Sequence, residues 1–437
     1  MVRLGTPSRF VHRKLLRAAV NPVPEEERME QLIERGCGLD VHRDTVAACV
    51  RVPGPNGRPQ QDVRTFGTTA AELLALRDWL EGHGVTHVAM ESTGVYWKPV
   101  FYVLEDRFTC LLVNATHIKQ VPGRKTDVRN CVWIAQLLEH GLLGGSFVPP
   151  APIRELRDLT RHRKVLIQER SRAANRLHKL LQDAGIKLAS VATDILGVSA
   201  RAMLDALVEG TTDPGVLADL ARGKLRKKLP ALRQALTGRF RPHHAFLVSQ
   251  LLAHVDYLNE SITAVSEEVA VRINPFAAQV EQLDTIPGIN TRTAEVIIAE
   301  LGVDMHFFPS DRHLASWAAL CPGNHESAGK HASGKTRQGN RWLRTALIEA
   351  AAAAIRTKDS ALGARYRRIM RHRGHKKAVV AVAHAMLRSI YHLLAEGTTY
   401  HDPGADYFDR RHAQRVTRRA IQLLERQGFR VVLEPAA

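Results

Sequence analysis

Between Gly36 and Leu143 short β-branched runs alternate with amphipathic ones, and this alternation restricts the first third of the chain to a layered α/β design. CGLDVHRD and TVAACVRV read as two strands joined by a tight polar turn, a hairpin. PGPNGRPQ is a loop and VRTF a third strand. Thr69 followed by Glu72 resembles a capping box opening the helix AAELLALRDWLEGHG. THVAMEST and TCLLVNAT are apolar runs short enough for buried strands, with a helical GVYWKPVFYVLED between them. KTDVRNCVWIAQLLEHGLL closes the region as an amphipathic helix.

The order β-β-β-α-β-α-β-α is that of an RNase-H-like mixed sheet, although alternation alone also fits other α/β folds, so the carboxylates must discriminate. Asp40 falls at or just past the end of the first strand, Glu91 ends the fourth, and Asp127 opens the last helix. Acids at strand ends, with a third returned by a helix, can converge on one hard cation, since Mg²⁺ binds through a few carboxylates plus water and phosphate oxygens. Asn130 follows Asp127 at the spacing that makes neighbours on a helix. The set can be a metal site one ligand short, with an amide at the second helix position. The simpler alternative is a helix start whose dipole favours one acid.

Beyond GSFVPPAP the sequence turns helical and basic. Arg154, Arg157, Arg161 and Lys164 recur at helical spacing and form a cationic stripe, suited either to nucleic acid or to a solvated coiled-coil flank. AFLVSQLLAHVDYLNESITAVSEEVAVRI is a second long helix that can pair with the first as an antiparallel hairpin, and ARGKLRKKLPALRQALTGRFRP is a basic linker between them. LDTIPGINTRTAEVIIAELG carries a Pro-Gly-Ile helix-hairpin-helix signature, in which backbone N–H groups at Gly288 and Asn290 can hold a phosphate. Asn290 stands where a second glycine is usual, and Asn tolerates positive φ. The polar loop after LASWAALCPG holds Ser327, Ser333, Lys330, Lys335, Arg337, Arg341 and Arg344, a hydroxyl among cations that suit phosphate. The expected organisation is a basic extension over residues 1–30, the mixed-sheet domain over 31–150, a helical coiled-coil linker over 151–275, a mainly helical domain over 276–395 and a basic tail over 396–437.

Lys plus Arg number 62 against 44 Asp plus Glu, a net charge of +18 that suits a polyanion partner rather than an ordinary metabolic substrate. Cys37, Cys49, Cys110, Cys131 and Cys321 show no CxxC pair and read as reduced, buried thiols. No signal-peptide core and no run of about 20 apolar residues occurs, so the expectation is a soluble, cytoplasmic, nucleoid-associated protein without a membrane partner.

GLDVHRDT, MESTGVYW, GRKTDVRNC, TIPGIN, LCPGNHESAGK and GNRWLR together resemble the transposases of the insertion sequence 110 family, and most nearly its 1111 subgroup, over about residues 36–395. The resemblance implies an N-terminal RuvC-like domain with a D-E-D-D set, a coiled coil, and a C-terminal transposase domain with a catalytic serine. It implies recombination of donor and target DNA guided by a bridge RNA, with Mg²⁺ or Mn²⁺ as cofactor and a homo-oligomer, a dimer of dimers, as the working unit. Asp40, Glu91 and Asp127 match the first three acids, Asn130 stands where the fourth aspartate is expected, and Ser327 matches the serine, with Ser333 as its competitor. Asn130 can still offer a carbonyl oxygen, but it removes one negative charge. Two alternatives remain: a junction-resolving nuclease working by metal-activated water, and an inactive RNA- and DNA-binding member.

Overall fold

In the computed structural model the described residues are 32–54, 59–92, 94–114, 118, 130–323, 325–327, 330–337, 339–411 and 413–433, with backbone alone at 325–327, 330–333, 409 and 414–416. They divide into two compact units at Val148 and Pro149.

The first unit is a five-stranded sheet: β1 (Gly36–Val41), β2 (Thr45–Pro53), β3 (Pro59–Gly67), β4 (His87–Glu91) and β5 (Thr109–Val113), in spatial order β3-β2-β1-β4-β5. The β1–β2 and β2–β3 pairs are antiparallel, whereas β1–β4 and β4–β5 are parallel. Helices α1 (Ala70–Gly82), α2 (Trp97–Leu104) and α3 (Asn130–Glu139) complete the order that the sequence predicts. Thr69 caps α1 by accepting from the Glu72 N–H, while the Glu72 carboxylate accepts from the Gly67 N–H.

Strand periodicity assigns the two faces. Cys37, Leu39 and Val41 of β1 join Val88, Met90 and the buried leucines of α1 and α2 in one core. The opposite face is covered by α3, with Ala89, Val113, Ile134 and Leu138 in one cluster and Cys49, Cys131 and Ala135 in another.

The second unit is built on α4 (Ala151–Asp183) and α8 (Pro242–Ile273), which pack along their length. Arg272 meets Glu155, Arg170 meets Asn259 and His244 meets Asp183, so the pair is antiparallel, as expected. The segment between them is more than a linker. Helices α5 (Val198–Val208), α6 (Pro214–Asp219) and α7 (Leu229–Leu236) bury Met203, Leu204, Leu217 and Leu232 in one core with Leu181 of α4 and Val248 of α8.

Then follow α9 (Ala277–Asp284), α10 (Thr291–Leu301), α11 (Asp311–Trp317), a hairpin of β6 (His325–Ser327) and β7 (Lys330–Ser333), α12 (Arg341–Ala354), α13 (Ala361–Arg373) and α14 (His375–Glu396). By length and hydropathy α14 could cross a membrane. Here it is a core helix: Val382, Met386, Leu387 and Ile390 are buried, and α11, α12 and α13 pack on it. Short α15 (Tyr407–Arg411) and α16 (Ala413–Arg426) end the described chain.

Candidate functional site

Two chemically loaded regions emerge, one in each unit. In the first, β1 and β4 pair from Gly36↔His87 to Leu39↔Met90, so Asp40 and Glu91 follow side by side at the strand ends. Their parity places them with Gly38 and Ala89 on the face that α3 covers. A Cβ on Gly38 would stand 2.2 Å from the Cys131 carbonyl oxygen and 2.4 Å from the Ala135 N, so only glycine lets α3 lie this close. Arg51, paired with Gly36 across β1–β2, donates from Nε to Glu139 Oε2 at 2.6 Å and ties down the far end of α3. With that end held, α3 begins at Asn130, over the sheet face that bears both acids.

Asp40 is 14% exposed and lies 3.5 Å from His42 Nε2. Glu91 is partly buried. Asp127 lies outside the described residues. The oxygens offered by Asp40, Glu91 and Asn130 are the hard donors that Mg²⁺ or Mn²⁺ takes, so the residues present fit a divalent cation in kind.

In the second unit, the loop with the candidate serines is the two-stranded hairpin. Ser327 pairs with Lys330 at one end of the ladder and Ser333 pairs with His325 at the other. Below the hairpin the Gly323 N–H donates to the Lys335 carbonyl at 3.0 Å, and Pro322 bridges Thr336. Arg344 reaches the Ala319 carbonyl at 3.4 Å, and Arg337 directly follows the bridged Thr336.

The cationic stripe on α4 turns toward α10 over its first turns. Arg157 donates to the Ala299 and Glu300 carbonyls at 3.0 and 2.7 Å, at the C-terminal end of α10 where the helix dipole favours a cation. Arg161 grips the Glu300 carboxylate with two bonds of 2.7 and 2.8 Å. Glu300, 0% exposed, also accepts from Asn340 Nδ2 at 2.6 Å, and Asn340 caps α12. One buried carboxylate thus joins three helices. Arg154 donates to the Pro149 carbonyl and Lys164 to Glu349. These four cations have intramolecular partners, a use that their spacing does not reveal.

Asn290 differs from the expectation of a positive φ. Its φ is −116°, and its side chain accepts from the Thr293 N–H as the N-cap of α10. Gly288 carries the positive φ, +87°, and a Cβ there would stand 2.3 Å from the Ala350 carbonyl oxygen, so the hairpin packs directly on α12.

Between α4, α10 and α12 lies a cleft of about 600 Å³ lined by Arg161, Lys164, Asn290 and Arg341, and also by Arg172, Arg292 and Trp342. Arg341 stacks on the Trp342 ring at 4.8 Å and Arg161 approaches it at 5.7 Å. Arg172, Arg292 and Trp342 are not among the residues that the sequence singles out. Arg172 lies eight residues past Lys164, two further turns along the same stripe, and that signal could have found it.

A third set of groups, Asp183, His243 and His244, has metal-ligand types close together. His244 Nδ1 accepts from the Arg241 N–H, so Nε2 bears the proton and donates to Asp183 at 3.1 Å. A neutral ring held this way has no nitrogen lone pair left for a metal. The set is a bridge between α4 and α8.

Comparison with known proteins agrees with both regions. Residues 37–186 match the family model DEDD_Tnp_IS110, described as a transposase, and residues 280–367 match that of the transposase IS116/IS110/IS902 family. A "Probable family 20 transposase" of Pseudomonas aeruginosa is 26% identical over 72% of this chain and 85% of its own. The "Insertion element IS110 uncharacterized 43.6 kDa protein" of Streptomyces coelicolor is 31% identical over 33% of this chain and 38% of its own. The transposase for insertion sequence element IS1328 of Yersinia enterocolitica is 24% identical over 55% of this chain and 63% of its own. Fold and matches together define a transposase, a DNA-processing class of protein. The chain belongs to the IS110 family of insertion-sequence transposases.

Proposed function

We propose that the protein is a recombinase that moves its insertion sequence by strand exchange through a phosphoserine link, guided by a bridge RNA that pairs with donor and target DNA. The observation that carries the reading is the placement of Asp40 and Glu91 at neighbouring strand ends on the face where Asn130 starts α3. In this reading Ser327 Oγ bonds to the phosphorus of a DNA phosphodiester as the bond to the adjoining deoxyribose oxygen breaks. That oxygen takes up a proton, and its later attack on the phosphoserine reseals a strand. The link conserves the ester, so no nucleotide triphosphate is needed. Residues 329–336 spell GxxxxGK[ST], but Lys330–Ser333 form β7 and no helix starts at Lys335 or Thr336, as a nucleotide-binding loop requires.

Asp40, Glu91, Asp127 and Asn130 would hold Mg²⁺ or Mn²⁺, which when bound stabilises charge on the phosphate oxygens. Lys330, Lys335, Arg337, Arg341 and Arg344 are the phosphate contacts near the serine, and Gly288 and Asn290 belong to the hairpin that steers the backbone. Ser333 is the alternative nucleophile. The resemblance further supports a dimer of dimers in which one protomer's acidic domain works with another's serine domain.

The test is a denaturing gel of the protein with its RNA, Mg²⁺ and labelled donor and target DNA, beside Ser327→Ala and Ser333→Ala. A protein–DNA adduct lost only in Ser327→Ala supports the reading. DNA cuts without an adduct, surviving Ser327→Ala, would identify a nuclease instead, and bound but uncut DNA a binding protein.

A further inference from the structure

A second cluster of cations, where α13, α14 and α15 meet, has no place in the reaction above. It lines a pocket of about 450 Å³ formed by these helices and the 399–403 segment. Arg365 of α13, Arg388 and His392 of α14 and Arg411 of α15 all face it, and none of its lining residues is an acid. Two of these cations, Arg388 and His392, have carboxylate partners outside the pocket lining. Asp311 pairs with Arg388 and lies 3.7 Å from His392, and Glu396 takes His392 Nδ1 at 3.1 Å. Asp402 accepts the Ala361 and Gly404 N–H groups at 2.9 and 2.8 Å, and Asp406 pairs with Arg410.

Arg365 is the centre of the cluster. It is partly buried, and among the described residues it has neither a hydrogen-bond acceptor nor an ion pair; its one close partner is the Phe408 ring, 5.6 Å from Cζ. Arg368 approaches the same ring at 5.7 Å. Arg411 lies over Tyr407 at 5.9 Å and donates to its hydroxyl at 2.9 Å. The aromatic pair thus holds guanidinium forks at the pocket wall without neutralising them.

Among the described residues Arg365 and Arg411 are left without a carboxylate, and half-burying Arg365 beside other cations is costly unless an anion completes the set. That cost is visible in two neighbours: burial and then the charge of Arg388 hold Arg365 below the usual arginine range, and the same two causes, in that order, push His384 down. We infer that this pocket binds a phosphate group of a nucleic-acid strand, with Arg365 and Arg411 as its forks and Tyr407 and Phe408 as their supports. The inference rests on the nucleic-acid part of the function proposed above but needs no chemistry at Ser327, so loss of one leaves the other standing.

The test compares the full-length protein with Arg365→Gln/Arg411→Gln, by fluorescence anisotropy on a labelled DNA duplex and a labelled single-stranded RNA across a range of salt. Removing one phosphate interaction should lower the slope of log affinity against log salt by about one, with binding weakened about tenfold at physiological salt. Weaker binding of both probes means the phosphate is read in either strand; weaker binding of one identifies its source. Should the double variant melt early, Arg411→Gln alone, on the short exposed helix, is expected to weaken binding about threefold. Unchanged slope and affinity in a variant that melts like the parent would overturn the inference. So would stabilisation of the parent by inorganic phosphate with no effect of the variant on either nucleic acid, since the pocket would then serve a free anion.

Discussion

Gly38 of β1 and Cys131 of α3 approach so closely that a Cβ on residue 38 would stand 2.2 Å from the Cys131 carbonyl oxygen. The atoms it would meet are backbone, on a helix held at its other end by Arg51 and Glu139. Gly38→Ala must therefore shift the helix start that carries Asn130. Overpacking of this kind costs about 1–3 kcal/mol. The expected outcome is a lower urea midpoint together with weaker Mn²⁺ binding, followed by Mn²⁺ resonance. A variant that loses stability but keeps its cation affinity would separate this contact from the site.

Glu300 offers a second test, since it is fully buried between Arg157, Arg161 and Asn340. Glu300→Gln keeps the shape and removes the charge, leaving two guanidinium groups without their counter-ion. Breaking a buried pair in this way costs about 3–5 kcal/mol. Glu349→Gln, which breaks the exposed pair with Lys164, should cost at most about 1 kcal/mol. Chemical denaturation of the two variants checks the contrast, and equal losses would refute the joining role given to Glu300.

Much of this architecture is legible in local sequence, and what is not depends on distant partners. Thr69 and Glu72 announce α1 because a cap is decided within one turn. The period of Arg154, Arg157, Arg161 and Lys164 shows one face, but not that α10 lies on it. That fact resides in Glu300, about 140 residues away. Asn290 reads as a glycine substitute in TIPGIN, whereas its side chain caps α10, the commoner use of Asn before a helix. The 184–241 segment hides its core among Gly, Pro and Lys, so its helices are shorter than a periodicity can mark. For the acids, strand order is enough to align Asp40 with Glu91, but the glycine that seats α3 above them gains its meaning only from Cys131.

The cysteines bear on alkaline stability. Burial pushes the Cys49 thiol up to about 12 from an ordinary 9.0. The unfolded chain loses this proton first, so the stability from the neutral thiol is complete below pH 9 and disappears as the pH rises toward 12. At pH 10 the loss is about 1 kcal/mol, from the folded and unfolded values together. Urea midpoints at neutral pH and at pH 10 should therefore fall less in Cys49→Ala than in the parent. The same fall in both would show that the thiol is not buried in this way.

Position 130 tests the cation site proposed for the first unit. Asn130 starts α3 over the face of Asp40 and Glu91, where as a ligand its amide would supply an oxygen but no charge. Cation affinity in oxygen sites rises with the number of charged ligands. Asn130→Asp is thus expected to tighten Mn²⁺ binding about tenfold, read by calorimetry on the protein without nucleic acid. The gain should vanish in Asn130→Asp/Glu91→Gln, because the added carboxylate then only replaces the lost one. Removing divalent metal with a chelator should abolish adduct formation in parent and variant alike. If Asn130→Asp binds Mn²⁺ no better than the parent, position 130 is not a ligand, and its place at the head of α3 is that of an ordinary helix start.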